Sequence, residues 1–447
     1  KKQSLWLDTA PPQEFPQLHG NIEVDILVVG GGITGLTSAY LLKQAGCRVA
    51  VVDQGSIAGG ETAHTTAHLT FVTDVRLHEL ASRLGEKTAQ AFWGAGHSAM
   101  RQIEDLVAEL DIDCELRRVP GYLFAAVNKD SEKETPSLQE DALLADGFGF
   151  DAEFVQSDPL FGRPAVRFPN QLKFHPLRYV SALASALPGQ GSHVFAKTSG
   201  SHIDNEKHEL RTDGGTISYE TLVAATHVPI QGERGTLDAA AFQTKLAGYS
   251  TYALQAEIEA MPESLFWDTN DPYLYLRFDR LAGKSSLIIG GEDHKTGQEE
   301  QTETRYKSLE ATLKGIFPTA KITHRWSGQV LETPDGLPYI GEVAKRQFVA
   351  TGFSGNGMTL GTFSAMLIRD LITGKSNPWA GVFAPSRKSV TGIWEYVREN
   401  KDFLAYFVKD RFAPTVPLPE VKRCTGEISK IEGKKRAIYR DEHGKTT

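Results

Sequence analysis

The sequence predicts an α/β chain, α+β overall, in which a discontinuous nucleotide-binding domain is interrupted by a domain built on a mixed or antiparallel sheet. Three observations predict it. A glycine turn, Gly30-Gly31-Gly32-Ile33-Thr34-Gly35, directly follows the apolar run Asp25-Ile26-Leu27-Val28-Val29. A second, Gly352-Phe353-Ser354-Gly355-Asn356-Gly357-Met358, follows Phe348-Val349-Ala350 near the other end of the chain. Between them, from about Gln231 to Ile322, the pattern turns to longer, alternating strands.

The first turn follows from backbone physics. Ile26 to Val29 is a continuous apolar run, as a buried parallel strand is. Gly30 permits the tight turn, Gly32 lets backbone approach a pyrophosphate, and Gly35 lets a helix pack against the strand. The helix expected from about Ile33 to Gln44 aims its free N–H groups at the phosphate, and Gly46 ends it. The strand Arg48 to Val52 leads to Asp53, near the offset of about 20 residues at which an acid meets a ribose hydroxyl. A bare glycine pattern makes only a turn. Strand, turn, helix, strand and terminal acid in order predict a Rossmann-like unit, and the acid disfavours a 2′-phosphate ligand.

The remaining elements follow in order. Residues 1–20 are a lead-in with Trp6 as a packing anchor. Val75 to Leu110 is expected to be helical, and Val119 to Val127 a strand. A charged loop from Lys129 enters a helix ending near Gly147. His175 to Leu187 is a helix with Pro176 at its start. Short strands follow at Val194 to Ala196, His208 to Arg211 and Thr221 to Ala225, the last leading to Thr226-His227 beneath a nucleotide. Tyr252 to Ile258, Tyr273 to Phe278 and Ser285 to Gly290 are strands, Glu303 to Ile316 a helix, and a helix after the second turn runs to about Leu371. In the tail, Ile393 to Phe407 is expected to be helical, with a short strand pair near Ile428 to Tyr439.

Composition narrows the class. At 447 residues two or more domains are expected. A net charge of −8, from 48 basic and 56 acidic residues, argues against a nucleic-acid partner. No apolar stretch reaches the ~18 residues of a membrane span. Three separated cysteines without a C-x-x-C fit a reducing, cytoplasmic compartment. The chain begins Lys1-Lys2 without a methionine, so a preceding segment is expected. No metal site is expected.

With the glycine turns, Asp53, the loop Gly59-Gly60-Glu61-Thr62-Ala63-His64-Thr65-Thr66-Ala67-His68 and the run Asp335 to Gly341, the chain resembles FAD-dependent oxidoreductases of the D-amino-acid oxidase and glycine oxidase class. The resemblance implies a discontinuous FAD-binding domain (21–90, 150–230 and 323–380), a substrate domain (91–149 and 231–322), and an extended FAD with its flavin between them. Ser4 to Leu7, Gly291-Glu292-Asp293-His294, Trp326 to Gln329 and the tail Gly426 to Gly444 look like the bacterial subfamily fused to a C-terminal Rieske domain. The extension 381–447 then resembles a linker and the opening strands of that domain. A Rieske centre needs two Cys and two His ligands, and nothing after Cys424 supplies them. Either the cluster was lost or the chain stops short of it; no iron–sulfur cluster is expected in the chain as given.

The resemblance also implies the cofactor's contacts. These are Gly30, Gly32, Ile33, Thr34, Gly35, Asp53 and Gln54 at the nucleotide, and Gly60, Glu61, Thr62, His64, Thr65, Thr66 and Ala67 along the pyrophosphate and flavin. Val194, Ala225, Thr226, Gly328, Asp335, Gly336, Gly355, Asn356, Gly357 and Met358 complete the set. Hydride transfer to flavin N5 leaves negative charge near N1, where the helix opened by Gly355-Asn356-Gly357 supplies backbone donors. FAD is expected to be bound non-covalently rather than through His64, because the covalent pattern has a tryptophan where this chain has Ala63. On the substrate side Tyr273, Tyr275 and Arg277 alternate and share a strand face. An Arg fork beside tyrosine hydroxyls suits a carboxylate; an ordinary sheet face with a solvated Arg is the alternative. His294 either faces the flavin or is a satisfied loop histidine, and Trp326 either walls the flavin or fills core. The expected reaction is oxidation of a C–N bond in an amino acid or secondary amine, with O2 or an electron carrier as acceptor. Alternatives are dehydrogenation of a hydroxy acid or alcohol, and a redox relay without turnover.

Overall fold

Val29, the last residue of the first long strand, sits in register with both Val52 and Ala224, and Ala224 with Val349. These parallel strands therefore end level with one another, and both glycine turns leave from the same edge of one sheet. The computed structural model describes residues 1–229, 245–281, 283–299, 301–387, 416–423, 425–431, 434–440, 444 and 446. They fall into two units, Lys1–Thr391 and Gly392–Thr447.

The first unit opens with the short helix α1 (Leu5–Thr9), then β1 (Ile22–Val29), α2 (Ile33–Gln44), β2 (Val49–Val52) and β3 (His68–Leu69). Next come α3 (Leu77–Leu84), α4 (Glu86–Glu109), β4 (Arg117–Phe124), α5 (Ser131–Gly147), β5 (Glu153–Val155), β6 (Ala165–Lys173) and α6 (Pro176–Ala186). The strands β7 (His193–Phe195), β8 (Gly200–Asp204), β9 (Glu209–Thr212), β10 (Gly215–Ala224), β11 (Ala247–Glu257), β12 (Ser264–Asp268), β13 (Tyr275–Leu281) and β14 (Lys284–Lys295) follow. The unit closes with α7 (Thr302–Ile316), β15 (Lys321–Glu332), β16 (Tyr339–Ala344), β17 (Gln347–Thr351), α8 (Gly357–Ile372) and α9 (Ala380–Phe383).

The first sheet has the order β16-β17-β10-β1-β2-β7, with β9 on β10 and β8 on β9. β1 and β2 are buried on both faces, as apolar parallel strands must be. Helix α2 is apolar nearly all round and buried from Ile33 to Leu42, because α8 covers the side that the sheet does not. The long helical stretch expected from Val75 divides into α3 and α4 at Gly85, whose φ of 84° no helix accommodates.

The second sheet has the order β15-β11-β14-β13-β12-β4-β6-β3, with β5 on β6. It is antiparallel except where β12 lies parallel to β4. One face packs under α7, burying Tyr252, Leu254, Phe266, Leu276, Phe278, Leu287 and Leu313. Ala253, Ile288 and Trp326 join the main core with α2, α4 and α8. The domain boundaries expected from sequence therefore move. Residues 153–173 and 323–332, assigned to the nucleotide domain, lie in the second sheet, because β15 pairs along its length with β11 and β6 with β4. Conversely α4, assigned partly to the substrate domain, packs on α8.

In the second unit, β18 (Thr425–Ile431) and β19 (Lys434–Arg440) form an antiparallel hairpin with Ile428 opposite Ala437, as expected near Ile428 to Tyr439. The helix expected over Ile393 to Phe407 lies outside the described residues. Among the described residues no helix is long and apolar enough to cross a membrane.

Candidate functional site

The two glycine turns meet. A Cβ on Gly361, in the second turn of α8, would lie 2.6 Å from Thr34 Oγ1 in the first turn of α2. The N-termini of two helices are thus brought together at one end of the first sheet. Neither is capped by its own N-cap side chain: Gly32, at the start of α2, has none, and the Asn356 amide donates instead to the Val72 carbonyl at 3.0 Å. Ile33 N donates to Thr62 Oγ1 at 3.1 Å, which ties the Glu61–Ala63 turn to the start of α2.

The ground beside these helix ends is clear. A Cβ on Gly60 or Gly357 would meet nothing within 4 Å, and one on Gly32 only Thr62 Oγ1 at 3.1 Å. Gly30 differs: its φ is 109° and a Cβ there would sit 2.3 Å from the Ala225 carbonyl oxygen, so only glycine fits between β1 and β10. Asp53, just past the end of β2, accepts from Gly31 N at 2.8 Å and Gly55 N at 2.7 Å, while Gln54 is exposed. Open glycine floors, uncapped helix N-termini and a strand-end acid fit an extended dinucleotide with its pyrophosphate at α2.

Other expected contacts are committed to the protein. The Val194 side chain is in the core. Thr226 Oγ1 donates to the Val228 carbonyl at 2.7 Å. Asp335 is gripped through both oxygens by Arg387, at 2.8 Å each. Gly336, with φ 75°, packs on Val75. Met358 is buried at the start of α8. Gly328 faces His64 and Glu61, and Glu61 Oε2 accepts from Gln329 N at 2.7 Å.

The substrate-side residues separate. Tyr273, just before β13, donates its hydroxyl to Asp74 at 2.9 Å, and Asp74 also accepts from Gly355 N at 2.7 Å. Tyr275 lies beside Tyr273, with ring centroids 5.5 Å apart, and its hydroxyl bonds Thr251 Oγ1 at 2.7 Å. Thr251 also hydrogen-bonds Asp293, whose buried Oδ1 has no partner among the described residues. Burial pushes the Asp293 carboxyl up to about 6, and the neighbouring carboxylates Asp74, Asp271 and Glu292 add to the rise. Surrounding chain likewise raises the Asp74 carboxyl, whose side chain is nonetheless exposed, as on the wall of an open cleft. Both tyrosine hydroxyls are pushed upward by burial and then by carboxylates. His68 meets the Tyr275 ring edge-on at 5.8 Å and is pushed down to about 3 by burial and the Arg277 charge.

Arg277 does not present a fork to this cleft. It is 2% exposed and pairs with Asp279 at 2.7 Å, while its Nη1 donates to the Thr66 and Ala67 carbonyls at 3.2 and 2.9 Å. Burial alone would raise Asp279, but the Arg277 and Lys173 charges outweigh it and hold the carboxyl down at about 2. The guanidinium is thus a buried internal cation, neither a free carboxylate clamp nor a solvated surface group. His294 goes to the other face of the sheet. Its Nε2 bonds the Tyr252 hydroxyl at 2.9 Å, and Tyr252 packs on Tyr306 of α7. A bulge between Ser250 and Tyr252 shifts the register, so Asp293 rather than His294 reaches Thr251 and Tyr275. Trp326 is 3% exposed and donates to the His64 carbonyl at 2.8 Å. Sequence reading missed Asp74, Thr251 and Asp293. His294 is the candidate from its place after a strand, and the bulge puts its neighbour Asp293 there instead.

A family model for DAO, described as FAD dependent oxidoreductase, matches residues 25–371. The chain belongs to this family. It is an FAD-dependent oxidoreductase, and both glycine turns and all but the first three residues of β1 in the two sheets fall inside the match. It is 29% identical over 451 residues to YhfW of Bacillus subtilis (strain 168), whose name designates a Rieske 2Fe-2S iron–sulfur protein; the match covers 99% of this chain and 87% of that one. It is 25% identical over 375 residues to gamma-glutamylputrescine oxidoreductase of Escherichia coli (strain K12), covering 80% and 86%. The fold is similar to the crystal structure of glycine oxidase from Geobacillus kaustophilus, with TM-score 0.66 and 20% identity over 82% of this chain and 99% of that one. At that identity the likeness speaks for the fold alone.

Proposed function

We propose that this flavoprotein oxidises a C–N bond of a positively charged amine, in the cleft between Tyr273, Tyr275 and the N-terminus of α8. The observation that carries this reading is the charge of the cleft. The only guanidinium expected there, Arg277, is paired with Asp279 and with loop carbonyls. The charges that raise the Tyr273 and Tyr275 hydroxyls are those of Asp74 and Asp293. A substrate carboxylate would meet repulsion, and an ammonium attraction.

Bound FAD supplies the hydride acceptor. The chain's own groups orient the amine. The Asp293 carboxylate accepts an ammonium N–H and takes its proton, so that the hydride leaves from the neutral amine, and Thr251 and Tyr275 hold the carboxylate's position. Asp74 ties Tyr273 to Gly355 and so joins the substrate wall to the start of α8. The uncapped N–H groups at Gly357 and Met358 stabilise negative charge developing beside them. The reading is tested by an anaerobic panel of amines and their amino-acid counterparts, followed by flavin absorbance. Bleaching by amines but not by the matching amino acids is expected; bleaching by amino acids alone would overturn it.

We also infer that FAD is held without a covalent bond. His64 Nδ1 is within 2.9 Å of the Gly60 carbonyl, a contact that turns the ring toward its own loop. Acid precipitation should release all the FAD to the supernatant. Colour remaining in the pellet would establish a covalent link.

A further inference from the structure

Four consecutive carbonyls in the loop after the Glu61–Ala63 turn are each held by a side chain from elsewhere in the fold. Trp326 Nε1 donates to the His64 carbonyl at 2.8 Å, from β15. Trp6 Nε1 donates to the Thr65 carbonyl at 2.7 Å, from α1. Arg277 Nη1 donates to the Thr66 and Ala67 carbonyls at 3.2 and 2.9 Å, from β13. We propose that Trp6, Trp326 and Arg277 are positioning residues that clamp this loop so that its amide groups are presented to the cofactor.

Peptide geometry gives the clamp a direction. In a trans peptide the N–H points away from the carbonyl of the same plane. Pinning the His64 and Thr65 carbonyls on one side sends the Thr65 and Thr66 N–H groups out on the other, and no acceptor among the described residues meets either. The Ala67 N–H is tied back to Thr65 Oγ1 at 2.9 Å. Thr66 Oγ1 bonds His68 at 3.1 Å, and His68 abuts Tyr275 in the cleft. The loop therefore joins the clamp to the cleft. Ala67 has a φ of 57°, a conformation alanine adopts only when its surroundings enforce it, and the Arg277 bonds on either side of it do so.

The clamp is itself anchored. The Trp6 ring lies 5.0 Å from the Arg277 guanidinium and 5.0 Å edge-on from His175. Asp279 fixes Arg277 and shares its charge with Lys173. Helix α1, which sequence reading treats as a lead-in outside the nucleotide domain, thus supplies part of the cofactor's support.

The inference rests on the cofactor reading above. Its test uses purified holoprotein, with FAD release on dilution followed by flavin fluorescence, together with the visible spectrum and Tm. Trp6→Phe keeps the ring against Arg277 but loses the donor. It is expected to weaken FAD retention by about 5- to 30-fold, the scale of one lost hydrogen bond, and to shift the flavin spectrum. Trp326→Phe should act in the same direction, which keeps the test open if Trp6→Phe does not fold. Thr9→Val, on the same helix but bonded to His175 rather than to the loop, should lower Tm with FAD retention unchanged. Unchanged retention and spectrum in both Phe variants would overturn the clamp. So would equal FAD loss in Thr9→Val, which would mark a general stability effect. A wild-type protein that purifies without FAD would overturn the cofactor reading itself.

Discussion

Arg277 carries the clearest lesson at the scale of a residue. In sequence it is a cation on an alternating strand, and the substrate is its natural partner. In the structure it is buried with Asp279 and Lys173, and a buried charge without a partner is too costly to leave for an occasional ligand. Arg277→Met should therefore destabilise the fold by about 3–5 kcal/mol, measured by chemical denaturation, because Asp279 and the loop carbonyls lose their donor. Asp293 behaves in the opposite sense. Its carboxyl rises from 3.8 to about 6 on folding, so the folded chain holds that proton more tightly than the unfolded chain. The associated stability is full below about 3.8 and is lost as pH rises through about 6. Asp293→Asn should leave Tm unchanged on the acid side of that window and raise it on the alkaline side. On the alkaline side KM for a cationic amine should also rise by about 10-fold or more, as expected when a charge-assisted hydrogen bond is removed. A KM indifferent to the substitution would remove Asp293 from the site.

At the scale of elements, the site depends on how closely α2 and α8 approach. Their N-terminal turns touch through Thr34 and Gly361, and both helices point unsatisfied N–H groups toward one place. Two glycine substitutions separate binding from folding. A Cβ on Gly35 would sit 1.9 Å from the Gly30 carbonyl oxygen, so Gly35→Val should abolish folding of the turn and yield little folded protein. A Cβ on Gly32 meets only Thr62 Oγ1 at 3.1 Å, so Gly32→Val should fold, with near-native circular dichroism, yet purify without flavin because valine occupies the pyrophosphate's place. A yellow Gly32→Val protein would show that the pyrophosphate lies elsewhere. The second sheet adds its own constraint. The bulge in β14, where Glu292 and Asp293 together oppose Thr251 of β11, decides which residues reach the cleft, and one residue of slip separates Asp293 from His294.

At the scale of the molecule, the first unit is built from two sheets whose helices and core are shared, and the cofactor site proposed for it draws on α2, α8 and the loop after β2. Such a site binds its ligand only in the folded chain. Free FAD at about 100 times its Kd should add roughly 2.7 kcal/mol of stability, so Tm should climb with added FAD and fall when the flavin is stripped. FMN, which lacks the adenylate that the Asp53 end of the site addresses, should raise Tm less. Equal shifts from FMN and FAD would contradict the extended-dinucleotide reading.

Local sequence determined the nucleotide half. The apolar run of β1, the turn at Gly30, helix α2 and Asp53 are close in the chain, and their geometry follows from strand burial and from the Cβ that glycine lacks. The second glycine turn and the alternating strands were legible for the same reason, since each is a short-range pattern. Tertiary structure alone decided the substrate half. β6 and β15 joined the second sheet through long-range pairing that periodicity does not encode, which moved the domain boundaries. Arg277 found its partner two residues away, but its burial came from Trp6, Lys173 and the loop at Thr66, all distant in sequence. Asp293 entered the cleft through a bulge. Charge placement in a cleft depends on which distant groups share the low-dielectric space, and no local pattern contains that information.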